Sequence, residues 1–205
     1  VNLEESKAWC PAHPGWSTDI LPFLDVMADH IPHGGVYVEI GVFLGRSLHF
    51  MGQRRPDLRL VAIDPWEDGE SQGYTGPGEH MGAVEAGGGL YNAFLDHMTR
   101  LCPDVLARTT ILRGTSALYM GPAADLVFID GAHDEASVRL DIERMLPWVA
   151  SGGVISGHDY NPDFDPKAVS KDDGRLGVIT ATHDLLGPPN VGIGPEWSTC
   201  WWVQR

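Results

Sequence analysis

The chain has 205 residues, 43% hydrophobic and 20% charged, the proportions of one globular domain able to bury a sheet under helices. With 28 acidic against 14 basic residues its net charge is −14, and no Lys/Arg cluster is available for a phosphate backbone. Nucleic acid and anionic membrane are therefore excluded as expected partners, and a neutral or cationic small molecule is favoured.

No apolar run approaches the roughly 20 residues of a membrane span. The opening Val1–Lys7 is polar and lacks a signal-peptide core. A leader trimmed ahead of Val1 stays open. Cys10, Cys102 and Cys200 form no CxxC pair, which removes a zinc ribbon and leaves reduced, buried or partly buried thiols of a cytoplasmic protein as the expectation.

In chain order, Ser17 to His30 has helical apolar spacing, with Ser17 or Thr18 as N-cap. Val36 to Gly41 is an apolar run closed by glycine and predicts a buried strand. Arg46 to Arg54 predicts a helix and Leu58 to Asp64 a second strand, which makes a βαβ unit and implies a parallel sheet. The alternation repeats: helix at Tyr91–Cys102, short strand at Thr110–Arg113, and a strongly hydrophobic strand at Ala124–Asp130. Then come an amphipathic helix at Ser137–Val149, a strand at Gly153–Gly157 and a helix at Gly177–Leu186. Val191–Ile193 and Cys200–Val203 predict two closing antiparallel strands. The expected fold is α/β, a Rossmann-like doubly wound sheet within a single domain spanning 1–205.

Two stretches break the pattern. Glu67 to Gly89 holds eight glycines and one proline and is expected to be a mobile lid. Asn161 to Asp173 is a second irregular segment, for which lid and plain surface loop stand level. Both follow C-terminal strand ends, where open α/β sheets bind ligands.

The sharpest local signal is Val38-Glu39-Ile40-Gly41-Val42-Phe43-Leu44-Gly45-Arg46-Ser47, a strand entering a glycine-bounded turn and then a helix. Glycine permits the tight turn and a close approach to a flat ligand. The Gly-x-x-x-Gly spacing lacks the middle glycine that presses a pyrophosphate against a helix N-terminus, so NAD fits poorly. S-adenosylmethionine (SAM), which has no pyrophosphate, fits better. Asp64 follows Gly41 by 23 residues and ends the next strand, where a carboxylate can accept both ribose hydroxyls.

These residues resemble the first two motifs of class I SAM-dependent methyltransferases, on Glu39-x-Gly41-x-x-x-Gly45 and Ile63-Asp64. Arg113-Gly114-Thr115-Ser116 resembles the segment after the third strand that borders the adenine. The resemblance runs from about Val36 to the C-terminus, omits the lid, and implies seven strands with an antiparallel last strand. It implies cofactor contacts at Glu39, Gly41, Gly45, Ser47, Asp64, Thr115, Ser116 and Asp130.

Phe128-Ile-Asp130-Gly-Ala-His133-Asp134 follows one buried strand and Gly157-His158-Asp159-Tyr160 follows the next, so their side chains are expected at one rim. Methyl transfer from a sulfonium requires a positioned and deprotonated nucleophile. A divalent cation on oxygen ligands would lower an alcohol's pKa, and a nearby His could take its proton. The segments resemble metal-dependent O-methyltransferases of the macrocin (macrolide-sugar) and cephalosporin-biosynthesis type, carried by Phe-Ile-Asp-Gly-x-His and Gly-Gly-Val-Ile-x-Gly-His-Asp-Tyr. A mycobacterial mannoside O-methyltransferase is similar in size and motif set.

The resemblance implies metal ligands at Asp130, His158 and Asp159, Mg²⁺ or another divalent cation, and His133 with Asp130 as catalytic groups. His158 departs from the family pattern, which has Asp or Glu there, so a supporting or substrate-contacting imidazole is the alternative. His133 could instead be structural, and Asp134 is expected to cap the following helix. Trp197, Trp201 and Trp202 read as core or dimer-contact aromatics, with sugar stacking and a homodimer left open.

The expected activity is O-methylation of a hydroxyl on a saccharide or glycosylated natural product, with a small-molecule or oligosaccharide acceptor. A catechol-type enzyme would need a Lys base, and none lies between Ala8 and Pro166. A non-catalytic protein of the same fold and an NAD oxidoreductase are the remaining alternatives.

Overall fold

The structure, a computed structural model, describes residues 2–12, 20–67, 88–160, 174–192 and 199–205. Most of the expected lid (68–87), the second irregular segment (161–173), the cap at Ser17 or Thr18, Ile193 and Trp197 lie outside these residues.

Seven strands form one sheet: β1 (Val36–Ile40), β2 (Arg59–Asp64), β3 (Thr109–Arg113), β4 (Ala124–Ile129), β5 (Val149–Gly157), β6 (Asn190–Val191) and β7 (Trp201–Gln204). Their order is β3-β2-β1-β4-β5-β7-β6. The first five run parallel, and β7 is antiparallel to both β5 and β6. The mostly parallel doubly wound sheet with an antiparallel last strand is as expected.

The helices are α1 (Leu3–Trp9), α2 (Ile20–Ala28), α3 (Arg46–Arg54), α4 (Leu90–Leu101), α5 (Pro103–Ala107), α6 (Glu135–Met145) and α7 (Gly174–Leu186). Strand alternation sends side chains to two layers. Tyr37, Leu60, Leu126 and Phe128 pack with helices α2 to α5. Val36, Val38, Ile40, Val127 and Ile129 pack with α6 and α7. With both faces covered, the central strands β1 and β4 are mostly apolar and buried, whereas the outer β3 is polar and half-exposed.

Three elements depart from expectation. The polar start forms α1, because Asn2 and Glu5 make a reciprocal capping box. Pro103 opens a new short helix where one continuous helix ended at Cys102. The predicted helix to Val149 stops at Met145: Leu146-Pro147-Trp148 is a 3₁₀ turn, and Val149 already belongs to β5. No helix among the described residues is long and apolar enough to cross a membrane. Cys10, Cys102 and Cys200 are buried and form no disulfide among the described residues, and Trp201 is in the core.

Candidate active site

Register brings the site together. Ile40 pairs with Ile63 on one side and Ile129 on the other, and Ile129 pairs with Gly157. The next residue on each strand is therefore Gly41, Asp64, Asp130 and His158, all at one rim. Backbone bonds extend the ladder that far: Gly41 N–H to Ile63 C=O (2.9 Å), Asp130 N–H to Ile40 C=O (2.8 Å) and His158 N–H to Ile129 C=O (3.1 Å). β1 and β4 flank the point where strand order reverses, which is where such sheets open a crevice.

On the β1–β2 side the polar residues are engaged with the protein itself. Glu39 is fully buried and accepts from Tyr37 Oη (2.8 Å) and Ser47 Oγ (2.5 Å). Burial pushes its carboxyl up to about 8, against the lowering pull of those two donors, and the charges of Asp130 and Asp64 add to the rise. Glu39 and Ser47 are thus bonded to each other, tying β1 to the first turn of α3. Tyr37 was not singled out from sequence, although two-residue strand spacing puts it on the Glu39 face.

Asp64 Oδ2 accepts from Phe43 N–H (2.8 Å) and Oδ1 from Trp66 N–H (2.6 Å). Burial raises its pKa, opposed by these backbone donors. Phe43 and Trp66 both have left-handed backbones, with φ of 51° and 44°, and Trp66 Nε1 donates to Phe43 C=O (2.8 Å). Asp64 therefore braces two conformations that each cost about 1–3 kcal/mol.

The glycines make the tight turn expected and also have an internal role. A Cβ on Gly41 (φ +82°) would sit 2.2 Å from the Asp130 carbonyl oxygen, and one on Gly45 (φ +86°) would sit 2.9 Å from Phe94. Both are required by close internal approach, to the β4 exit and to α4. Ser116 is buried and donates to Asp141 Oδ1 (2.6 Å), whereas its neighbour Thr115 is exposed.

On the β4–β5 side the polar groups face one another. One ligand atom each from Asp130, His133 and Asp159 lie within 4.8 Å of one another. His133 Nε2 is 2.9 Å from Asp159 Oδ2. His158 Nδ1 is 3.2 Å from the same oxygen and 3.3 Å from Asp130 Oδ1, so it lies between the two carboxylates. His133 is 44% exposed and His158 is 8% exposed. The two imidazoles line a small cleft with Gly131, Ala132, Val178 and Trp201.

The bond to Asp159 raises the His133 pKa, against partial burial. Burial would raise Asp159, but hydrogen bonds and charge from His133 and His158 hold it well below the usual carboxylate range. Asp159 has φ 59°, a third left-handed non-glycine residue and another that sequence did not signal. Asp134 caps α6 by accepting from Ser137 N–H (3.0 Å), as expected. Tyr160, buried beyond Asp159, bonds His183 Nε2 through its hydroxyl (2.7 Å).

The fold has known relatives. Rv0187 from MTB, solved with cofactor bound, superimposes with a TM-score of 0.64 at 19% identity, covering 98% of this chain and 85% of that one. A TDP-rhamnose 3'-O-methyltransferase of calicheamicin biosynthesis gives 0.53 at 16% identity, over 90% and 76%. An O-methyltransferase family protein from Burkholderia thailandensis gives 0.57 at 14% identity, over 91% and 56%. At these identities the likeness is one of fold.

An uncharacterized protein of Acanthamoeba polyphaga mimivirus is 30% identical over 124 residues, 60% of this chain. The matched part is 51% of that protein, so the chain spans about half the length of the curated relative it matches. The family model described as "Methyltransferase domain" matches residues 38–160, from the middle of β1 to the Tyr160 that follows the acidic rim. That span exceeds half of the sequence and holds both sides of the crevice, so the chain belongs to the Methyltransferase domain family.

Proposed function

We propose that the protein is a SAM-dependent O-methyltransferase that methylates a hydroxyl of a saccharide or glycosylated natural product. The observation that carries this reading is the convergence of Asp130, His133 and Asp159 beside the turn of Gly41 and Asp64. SAM supplies an electrophilic methyl group and departs as a neutral thioether. Its cationic sulfonium and ammonium suit a rim bearing Asp64 and Asp130. The Asp64 oxygens accept from backbone N–H groups, Phe43 and Trp66 foremost, and keep lone-pair capacity that the ribose hydroxyls can use.

The donor set fits a divalent cation, with Asp130 and Asp159 as oxygen ligands and an imidazole beside them. A mixed oxygen and nitrogen set suits Mn²⁺ better than Mg²⁺, which prefers oxygen alone. Such an ion supplies Lewis acidity that lowers the pKa of the acceptor hydroxyl. Asp159 Oδ2 holds the Nε2–H of His133, so in the neutral ring Nδ1 carries the lone pair. That exposed imidazole takes the hydroxyl proton as the oxygen attacks the methyl carbon. His158 Nδ1, 3.2 Å and 3.3 Å from the two carboxylates, would give the ion its nitrogen ligand.

The sugar-hydroxyl reading draws on His133, on the absence of a Lys between Ala8 and Pro166, and on the rhamnose methyltransferase among the fold neighbours. A methyl-transfer assay over sugar nucleotides, glycosides and catechols tests it, run before and after EDTA and with Mn²⁺ or Mg²⁺ restored. Transfer to a sugar oxygen, lost on chelation and recovered with metal, is expected. Transfer to phenols alone would make it a catechol-type enzyme. Full activity after exhaustive chelation would remove the metal, and SAM binding without transfer to any acceptor would make it a binding protein.

A further inference from the structure

Away from the rim, in the layer between α3 and α4, lies a cluster that methyl transfer does not use. His49 is on α3, His97 on α4, and Cys102 is the C-cap of α4. They are 0%, 2% and 2% exposed. One ligand atom from each lies within 4.8 Å of the other two. The two imidazole rings are 5.5 Å apart between centroids. Cys102 Sγ is 3.4 Å from Met98 Sδ, one turn earlier on α4, so a thioether stands beside the thiol.

We propose that His49, His97 and Cys102 form a structural site for a thiophilic d-block cation of the zinc type, which clamps α3 to α4. The donor set decides the class of ion. Two imidazoles and a thiolate with no carboxylate exclude Mg²⁺ and Ca²⁺ as occupants and match Zn²⁺. His97 is oriented as ligating imidazoles are: Nδ1 bonds the backbone carbonyl of Leu44, so Nδ1 carries the hydrogen and Nε2 the lone pair. Zinc bonds of about 2.0–2.3 Å put tetrahedral ligand atoms roughly 3.5 Å apart, so the present spacing needs only a small closing movement.

On binding, the Cys102 thiol gives its proton to solvent and both imidazoles bind as neutral rings. The ion braces the cofactor turn from behind, because His97 holds Leu44 within the Gly41–Gly45 turn and Gly45 packs against Phe94 and Met98 of the same helix. The site shares no residue with the Asp130–Asp159 rim, and it stands whether or not the proposed methyl transfer does.

The test is to load the full chain with Co²⁺ as a chromophoric stand-in for Zn²⁺ and record the thiolate-to-cobalt charge-transfer absorption. One equivalent per chain with that absorption is expected, kept in Asp159→Asn and lost in Cys102→Ser. A cooperatively folded wild type that shows no such absorption, or an absorption that persists in Cys102→Ser, overturns the site. If Cys102→Ser fails to fold, X-ray absorption of the zinc-loaded wild type decides. One sulfur with two imidazoles is expected, and a shell of oxygen ligands alone overturns it.

Discussion

The two halves of the crevice are built from similar residue types and use them differently. On the β1–β2 side, Glu39 is held by Tyr37 and Ser47, Asp64 by two backbone N–H groups, and Gly41 by the Asp130 carbonyl. Those polar groups hold a strained backbone in shape. On the β4–β5 side, two carboxylates and two imidazoles have each other as partners at a partly open mouth. Such contacts can be exchanged for a cation or an acceptor hydroxyl at modest cost, whereas the first set can be broken only by disturbing the fold. The first half is therefore read as a seat and the second as the chemical apparatus.

This contrast is breakable. The largest effect is expected from His133→Ala, which should lower turnover by about 10²–10⁴-fold, the usual worth of a general base. SAM affinity measured by calorimetry and the thermal midpoint should stay near wild type. A loss of only a few-fold would remove His133 from proton transfer. Gly41→Ala tests the other half, because its methyl would meet the Asp130 carbonyl at 2.2 Å in a left-handed backbone. It should destabilise the chain by about 3 kcal/mol in urea unfolding. A neutral result would mean that the two strand ends do not approach so closely.

Asp64→Ala should weaken SAM binding by about 1–3 kcal/mol, through the loss of buried hydrogen bonds. The same variant should lower the unfolding midpoint, since Phe43 and Trp66 lose their acceptor. Weakened binding without lost stability would separate the ribose role from the bracing role.

The smallest effect is a slope. Glu39 is raised to about 8 by burial from an ordinary 4.5. Between those values the folded carboxyl keeps a proton that the unfolded chain gives up, so its stabilising contribution is complete below 4.5 and is lost as pH climbs toward 8. The slope reaches about 1.4 kcal/mol per pH unit. Glu39→Gln should flatten it in denaturation series collected across that range. An unchanged slope would mean that Glu39 is ionised within the fold.

Much of the fold was legible because β1, β2 and β4 are short, mostly apolar runs ended by Gly or Asp, and the rim residues are those strand-terminal positions. That placement puts Asp130 and His158 at one rim, and the short segments that follow carry His133 and Asp159 to it. What escaped is non-local or conformational. Ser116 turns inward because Asp141 comes to it from α6, and nothing in the local motif announces that. His49 meets His97 through the packing of α3 on α4, across 48 positions of sequence. The left-handed backbones of Phe43, Trp66 and Asp159 are imposed by neighbours and carry no glycine to mark them. The glycines at 41 and 45 were visible, but their spacing cannot tell a close ligand from a close backbone.

The most direct test is a crystal structure of the chain with SAM and Mn²⁺ bound. The account predicts the ribose on Asp64, the sulfonium methyl facing His133, and an anomalous manganese peak between Asp130 and Asp159. A cofactor seated elsewhere, or a methyl group turned away from that rim, would contradict it.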